Sequence, residues 1–146
     1  MSQENVEIVR RWLAAMSAGP EETLAVIAEF FDADVDYYPV RKWPEAQPCH
    51  GLEEYSQFLA RMFDAFSRSG WAIHELIEIG DDRVFVRVNM RIEGRGSGLN
   101  LEGDLYFCFW LRHGRFFRVE DHLTLSGALH ALGLDGDTLE AVSLSE

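Results

Sequence analysis

Asp121 is the side chain in this sequence whose type and position best fit proton-transfer chemistry. In the last predicted strand the alternate residues Phe117, Val119, Leu123 and Leu125 are apolar, and Asp121 falls in the middle of that series. A carboxylate on an apolar face must be paired, hydrogen-bonded or protonated, because desolvation penalises its charged form and raises its pKa. A raised pKa suits a general acid or base, so Asp121 is the predicted catalytic residue.

A structural role for Asp121 remains open at the level of sequence. The carboxylate could instead tie a loop or cap the short helix that is predicted to begin at Ser126. Structural ion-pair networks shift the pKa of a carboxylate, just as catalytic sites do. His122 is not expected to form a dyad with Asp121, because neighbouring residues on a strand point to opposite faces.

Other kinds of catalytic site find little support in the sequence. The histidines lie in different predicted elements, without an i,i+4 pair or a cysteine partner, so a metal site is not expected. The Gly96-Ser97-Gly98 segment has the context of a glycine hairpin, which differs from both a nucleophile elbow and a phosphate-binding loop. The histidines in question are His50, His74, His113, His122 and His130.

The elements that must position Asp121 follow from the periodicity of apolar residues. Helices are predicted from Ser2, from Pro20 and from Leu52 to about Phe66, with a last short helix after Ser126. Pro39 makes 34–40 an edge strand or a strand end, and 41–51 is predicted as a loop. Four long strands joined by short turns then predict an α+β fold with an antiparallel meander: Trp71–Ile79, Arg83–Glu93, Asn100–Arg112 and Arg115–Leu125.

The faces of these strands predict what the sheet packs against. Val84, Val86, Val88, Met90 and Ile92 alternate along one strand and are predicted to face the helices. The strand 100–112 is apolar on both faces, which is typical of a sheet with one face on the core and the other under a helix or in an oligomer interface. A homodimer is therefore expected. Within that strand, Asp104 and Tyr106 either pack in this way or line a cavity.

Length and charge limit the partners. The chain has 146 residues, the size of a single domain spanning 1–146, and a formal net charge of −12. Since it has no basic cluster, nucleic acid is not an expected partner, an anionic membrane surface would repel the chain, and a neutral or cationic small molecule fits best. Cys49 and Cys108 cannot build a disulfide framework, and residues 1–5 lack a signal-peptide pattern, so a cytoplasmic location is expected.

A set of short segments occurs at 4–15, 30–35, 51–55, 95–98 and 114–134. In this order and spacing they resemble the nuclear-transport-factor-2-like superfamily and, within it, the SnoaL-like polyketide cyclase group. The resemblance implies a cone-like curled sheet that, with three N-terminal helices, encloses a hydrophobic pocket, commonly in a homodimer and generally without metal or cofactor. Its members include cyclases, isomerases, dehydratases, epoxide hydrolases and non-catalytic binding modules, so the reaction must be argued from the site.

The resemblance also bears on individual residues. The polyketide cyclases place an acid–base aspartate on the last long strand, about where Asp121 stands. The positions that serve ketosteroid isomerisation fall near Tyr38, Trp12 and Tyr106, which keep neither the base nor the donor set that such isomerisation needs. Ketosteroid isomerisation is therefore not the expected reaction.

The leading hypothesis is a cyclase or isomerase acting on a neutral, largely apolar, carbonyl-bearing molecule. Asp121 would move the proton, and hydroxyl or indole groups would steady the enolate. A non-catalytic ligand-binding or dimeric scaffold protein is the alternative. Epoxide hydrolysis needs an Asp–Arg–Asp set, and Arg87 and Arg91 are predicted to point away from the apolar face. The predicted donors are Tyr106, Tyr38 and Trp43, and the predicted pocket walls are Trp12, Phe63 and Trp71, with Asp104 as a further ligand-binding residue.

Overall fold

The computed structural model describes residues 2–40, 47–94 and 100–134. Within them the fold is α+β, with helices packed on an open, curled six-stranded sheet, as predicted. The elements are α1 (Ser2–Ala18), α2 (Pro20–Phe30), β1 (Phe31–Tyr38), β2 (Cys49–His50), α3 (Leu52–Ala65), β3 (Phe66–Ile79), β4 (Arg83–Gly94), β5 (Asn100–Arg112), β6 (Arg115–His122) and α4 (Leu125–Ala131).

The strands are arranged in the order β2-β1-β6-β5-β4-β3. The predicted antiparallel meander is confirmed for β3 to β6. The turn between β5 and β6 consists of His113 and Gly114, which both have positive φ, the geometry that a tight hairpin requires. β1 lies between β2 and β6, and it is parallel to β6, so it is not an edge strand. Pro39 follows it, which agrees with the predicted strand end.

Two boundaries differ from the sequence prediction. β3 begins at Phe66 and not at the predicted Trp71, so Gly70 lies within a strand. Cys49 and His50, predicted as loop, form β2 and pair with β1. In the described part of the chain, no helix has both the length and the apolarity needed to cross a membrane.

The main core lies between the sheet and the first three helices. Four of the five β4 residues predicted to face the helices are buried there, and the side chain of the fifth, Ile92, lies outside the described residues. The core also takes one face of each helix and of the neighbouring strands. Its largest fully buried members include Trp12, Phe31, Phe109 and Phe116.

A register shift changes which residues of β6 enter this core. Between Trp110 and Leu111 the β5–β6 pairing is irregular, so that one extra residue of β6 is accommodated. Phe116 is consequently fully buried, whereas Phe117 is half-buried and lies 4.6 Å from the Arg112 guanidinium. The prediction that Phe117 faces the core was wrong for this reason.

The C-terminal helix α4 covers part of the opposite sheet face. It packs against Phe85 and Cys108, so the prediction of a helix over the second apolar face holds at this end of the sheet. Its N-cap is Thr124 and not Ser126: the Thr124 hydroxyl accepts a hydrogen bond from the Gly127 amide at 3.1 Å. β6 ends at His122, and the two leucines predicted for its apolar series, Leu123 and Leu125, are exposed.

Candidate functional site

Asp121 lies on the helix-facing side of β6, where its backbone pairs with buried Phe107 of β5. The hydroxyl of Tyr37 donates a hydrogen bond to Asp121 Oδ2. Burial of the carboxyl raises the pKa of Asp121 to about 7, although the Tyr37 hydrogen bond and the charge of His122 act in the opposite direction. The residue as a whole is half-buried, and its carboxyl is a group with a strongly shifted pKa.

Tyr37 is held in place by a buried aromatic group. Its side chain is 4% exposed, and its ring centroid lies 4.5 Å from that of Tyr55 and 5.2 Å from that of Phe58. Burial and the charge of Asp121 raise the pKa of Tyr37 well above its ordinary value. Its hydroxyl therefore stays protonated and remains a donor.

Tyr55 is a second phenol near the carboxyl. Burial and, next, the charge of Asp121 raise the pKa of Tyr55 well above its usual value. The rings continue from Tyr55 to Phe31 at 4.9 Å and from Phe31 to Trp12 at 4.7 Å. A chain of aromatic rings thus connects α1 with the carboxyl on β6.

Two of the predicted wall residues share this side of the sheet with Asp121. Trp12 is 1% exposed and packs against Phe30 and Phe31, so its ring belongs to the core. Phe63 is half-buried against the edge of the same core. Of the two, only Phe63 offers a ligand much surface without rearrangement of the core.

The structure does not bring three other predicted site residues to Asp121. Tyr38, Asp104 and Tyr106 lie on the sheet face opposite α1–α3, which we call the outer face. Asp104 accepts hydrogen bonds there from Arg87 (2.7 Å) and Asn89 (3.3 Å), and these bonds lower the pKa of Asp104.

On the same face, the Tyr38 ring lies 4.6 Å from the guanidinium of Arg118. Tyr106 pairs with Arg87 and with His122 in the strand ladders. Two tryptophans cannot be placed in the site: Trp43 lies outside the described residues, and Trp71 pairs with Met90 although its side chain is not among those described.

Tyr37 and Tyr55 are the site residues that the sequence analysis missed. A signal for Tyr37 was present, because it alternates with Val35 on the apolar face of β1, whereas Tyr38 alternates with Asp36 on the polar face. In the sequence, Tyr55 stands out only as one of the residues that recur at helical spacing along α3. Its proximity to Asp121 depends on how α3 packs on β1.

The structure excludes one of the structural roles considered for Asp121. Thr124 caps α4, so Asp121 is not the cap of that helix. His122 points to the outer face, where its Nε2 lies 2.9 Å from Glu120 Oε1, in agreement with the prediction that it forms no dyad with Asp121. Across residues 2–40, 47–94 and 100–134, no three histidine, cysteine or acidic side chains are grouped so that they could hold a metal ion.

Several solved structures have a similar fold. A protein of Catenulispora acidiphila with a ketosteroid isomerase-like fold, crystallised with trimethylamine, is 22% identical (TM-score 0.66, covering 90% of this chain and 95% of that one). A Jannaschia protein named as a SnoaL-like polyketide cyclase is 20% identical (TM-score 0.72, 83% and 85%). An M. tuberculosis LEH-like epoxide hydrolase is 18% identical (TM-score 0.65, 85% and 81%). At these identities the likeness shows the fold alone.

The family is given by a comparison of sequences. No curated protein matches the chain. A family model described as a SnoaL-like domain matches residues 9–119, which is well over half of the 146 residues and ends just before Asp121. Since that model spans most of the helices and the sheet described above, the chain belongs to the SnoaL-like domain family.

Proposed function

We propose that the chain is an enzyme of the cyclase or isomerase type that uses Asp121 to move a proton on a neutral, carbonyl-bearing small molecule. The observation that carries this proposal is a carboxyl, hydrogen-bonded to a phenol, whose pKa burial raises to about 7. Near neutral pH both protonation states of such a group are populated. One carboxyl can then remove a proton from a ligand and return it.

The surroundings of Asp121 support a neutral, largely apolar substrate. The carboxyl lies among aromatic rings, and the chain carries a net charge of −12, which disfavours an anionic ligand. In the reaction, ionised Asp121 takes a proton from the carbon next to the carbonyl and becomes protonated, while the substrate becomes an enolate. In a cyclase the enolate carbon then attacks a second carbonyl, which closes a ring, and Asp121 gives its proton to the new alkoxide. In an isomerase Asp121 returns the proton to a different carbon of the conjugated enolate.

Tyr55 takes the place of the donors that were predicted from sequence. It is buried in the core and its hydroxyl stays protonated near the carboxyl; we propose that this hydroxyl donates a hydrogen bond to the enolate oxygen of a ligand that reaches Asp121. Tyr38 and Tyr106 lie on the outer face and do not serve this purpose in the proposal. Phe63 supplies apolar surface at the edge of the core.

One structural neighbour is named as an epoxide hydrolase, but epoxide hydrolysis has less support in this chain. That reaction needs an arginine between two aspartates. Arg87 is held on the outer face by Asp104 at 2.7 Å and Glu75 at 3.3 Å, and Arg91 is bonded there to Glu102 at 3.1 Å. Neither guanidinium faces Asp121.

A non-catalytic binding protein is the second candidate. The neighbour crystallised with trimethylamine favours small-molecule binding without indicating a reaction. Asp121 would then only orient a ligand. The two candidates differ in whether a bound molecule exchanges protons with the protein.

We also propose that the protein is a homodimer in a reducing, cytoplasmic environment. Cys49 and Cys108 are both free and buried, which fits a compartment where thiols stay reduced. The outer face beyond α4 carries arginine–carboxylate pairs that neutralise each other, so two copies with a net charge of −12 could approach there with the least repulsion.

The substitution Asp121→Asn tests the proposed function. It replaces the carboxyl with an amide of the same shape, so we expect the fold and ligand retention to be kept and turnover to fall by about 10²- to 10⁴-fold. Retention is measured as thermal stabilisation by 2-tetralone, a neutral bicyclic ketone with activated α-protons. Equal turnover in the variant and the wild type would remove Asp121 from the mechanism.

A further inference from the structure

We infer that Tyr37 is the positioning residue of the site: its hydroxyl occupies Oδ2 of Asp121, which leaves Oδ1 as the oxygen that exchanges protons with a ligand. This inference rests on the proposed function of Asp121. It adds to that function by assigning one reactive atom and the group that fixes it. Tyr37 itself does not contact the ligand in this arrangement.

The backbone and the ring of Tyr37 are both fixed. In the sheet, Tyr37 pairs with Val119 of β6 on one side and with Cys49 of β2 on the other. Tyr55 and Phe58 hold its ring, and its side chain is almost fully buried. Since the phenol has few torsions and the packing restrains them, its O–H reaches Oδ2 from one direction.

The other oxygen of the carboxyl has no hydrogen-bond donor among the described residues, where the Tyr37 hydroxyl is the one donor to Asp121. The residue as a whole is half-buried, so part of it is exposed to solvent. We therefore take Oδ1 as the oxygen that a ligand reaches.

The hydrogen bond has a measurable effect on the carboxyl. It lowers the pKa of Asp121 and so opposes the larger, raising effect of burial. Tyr37 cannot lose its own proton to compensate, because burial and Asp121 raise its pKa. Without the hydroxyl, the ionised carboxyl loses its donor and the side chain regains rotational freedom about χ2.

Tyr37→Phe removes the hydroxyl and keeps the ring, and Tyr38→Phe makes the same change on the outer face as the matched control. The carboxyl of Asp121 is followed by ¹³C NMR titration, with Asp121→Asn used to assign the signal. We expect the apparent pKa of Asp121 to rise by about one to two pH units in Tyr37→Phe and to stay at the wild-type value in Tyr38→Phe. For exchange of the α-protons of 2-tetralone in D₂O, kcat should fall about tenfold or more in Tyr37→Phe, while KM changes little.

The titration and the activity separate the two proposals. An unchanged Asp121 pKa in Tyr37→Phe overturns the positioning role, whatever the activity shows. If the Asp121 pKa rises in Tyr37→Phe but the wild type does not exchange the α-protons of the ketone, the positioning role is supported and the proposed function is contradicted. If Tyr37→Phe does not fold, 3-fluorotyrosine at position 37 replaces it: this stronger donor must lower the Asp121 pKa, and a pKa that stays or rises contradicts the inference.

Discussion

At the scale of single residues, the protein keeps a carboxyl where ionisation is costly. Asp121 is surrounded by core residues of β5, β6 and α3, and the hydroxyl of Tyr37 offsets only part of the desolvation. A structural aspartate is usually stabilised in its ionised form, as Asp104 is by Arg87. At Asp121 the effect of burial exceeds that of the hydrogen bond, so the ionised form is disfavoured. This favours a role in proton transfer that costs some stability.

The cost predicts how stability depends on pH. The pKa of Asp121 is about 7 in the folded chain and about 3.9 in an unfolded one, so the folded state binds the extra proton between these values. The stabilisation from this proton is complete below pH ~4 and is lost as the pH rises to ~7. Asp121→Asn has no such proton and does not lose this stabilisation. As the pH rises through this window, its free energy of unfolding should therefore increase relative to that of the wild type by a few kcal/mol, at about 1.4 kcal/mol per pKa unit.

Urea denaturation of the wild type and Asp121→Asn from pH 4 to 8 measures this difference. All other groups titrate in both proteins, so subtracting the two curves isolates Asp121. Curves that remain parallel across the whole range would show that the carboxyl is ionised as easily in the folded chain as in the unfolded one.

Sequence predicted one member of the central pair and not the other. Asp121 could be found because strand alternation is local and a carboxylate interrupts an apolar series. Its partner Tyr37 is 84 residues away, on a strand that is parallel to β6. The alternation of β1 favours Tyr37 over Tyr38, but only the pairing of β1 with β6 shows that its hydroxyl reaches Asp121.

At the scale of elements, α4 and its cap close one end of the outer face. The helix has only seven residues, so its own hydrogen bonds do not stabilise it alone and it depends on packing over Phe85 and Cys108. The Thr124 hydroxyl satisfies the amide of Gly127 at its first turn. Cys108 lies beneath, with its Sγ 3.8 Å from the Ala128 carbonyl oxygen, and burial raises the pKa of its thiol.

Thr124→Ala removes the cap and should loosen α4. We expect a loss of about 1 kcal/mol, equivalent to a Tm lower by about 2–4 °C, and faster labelling of Cys108 by a thiol reagent. Thr124→Ser keeps the oxygen and is the matched control. The labelled cysteine is identified by mass spectrometry, with Cys49 as the internal reference. If Cys108 is labelled at the same rate in both variants, the cap does not hold the helix over it.

The helices and the meander could be predicted because their signals are local. Apolar periodicity, Gly19 with Pro20, and the His113-Gly114 turn each act within a few residues. The strand β2 could not be predicted, since it has two residues and exists only through its pairing with β1. The register shift that buries Phe116 instead of Phe117 also depends on the partner strand.

At the scale of the whole molecule, charge limits how copies can meet. The net charge of −12 repels a second chain at most surfaces. On the outer face, Arg87 pairs with Asp104 at 2.7 Å, and Arg91 pairs with Glu102 at 3.1 Å. These pairs make the outer face the proposed dimer contact.

Arg91→Glu reverses one charge on that face and should weaken the dimer. Because like charges brought together at an interface cost several kcal/mol, we expect its dissociation constant to rise by about tenfold or more. Arg10→Glu on α1 changes the net charge equally, away from the outer face, and should have a much smaller effect. Sedimentation velocity over a concentration series measures both; a monomer throughout, or equal weakening by both variants, would contradict this contact.

The central claim, that Asp121 exchanges protons with a neutral carbonyl ligand, is tested most directly by hydrogen–deuterium exchange at the ligand itself. 2-Tetralone in D₂O is followed by proton NMR with the wild type, with Asp121→Asn and without protein. We predict that the wild type accelerates loss of the α-proton signals and that Asp121→Asn reduces this acceleration by about 10²-fold or more. Equal exchange with both proteins, or none by a wild type that binds the ketone, would contradict the claim.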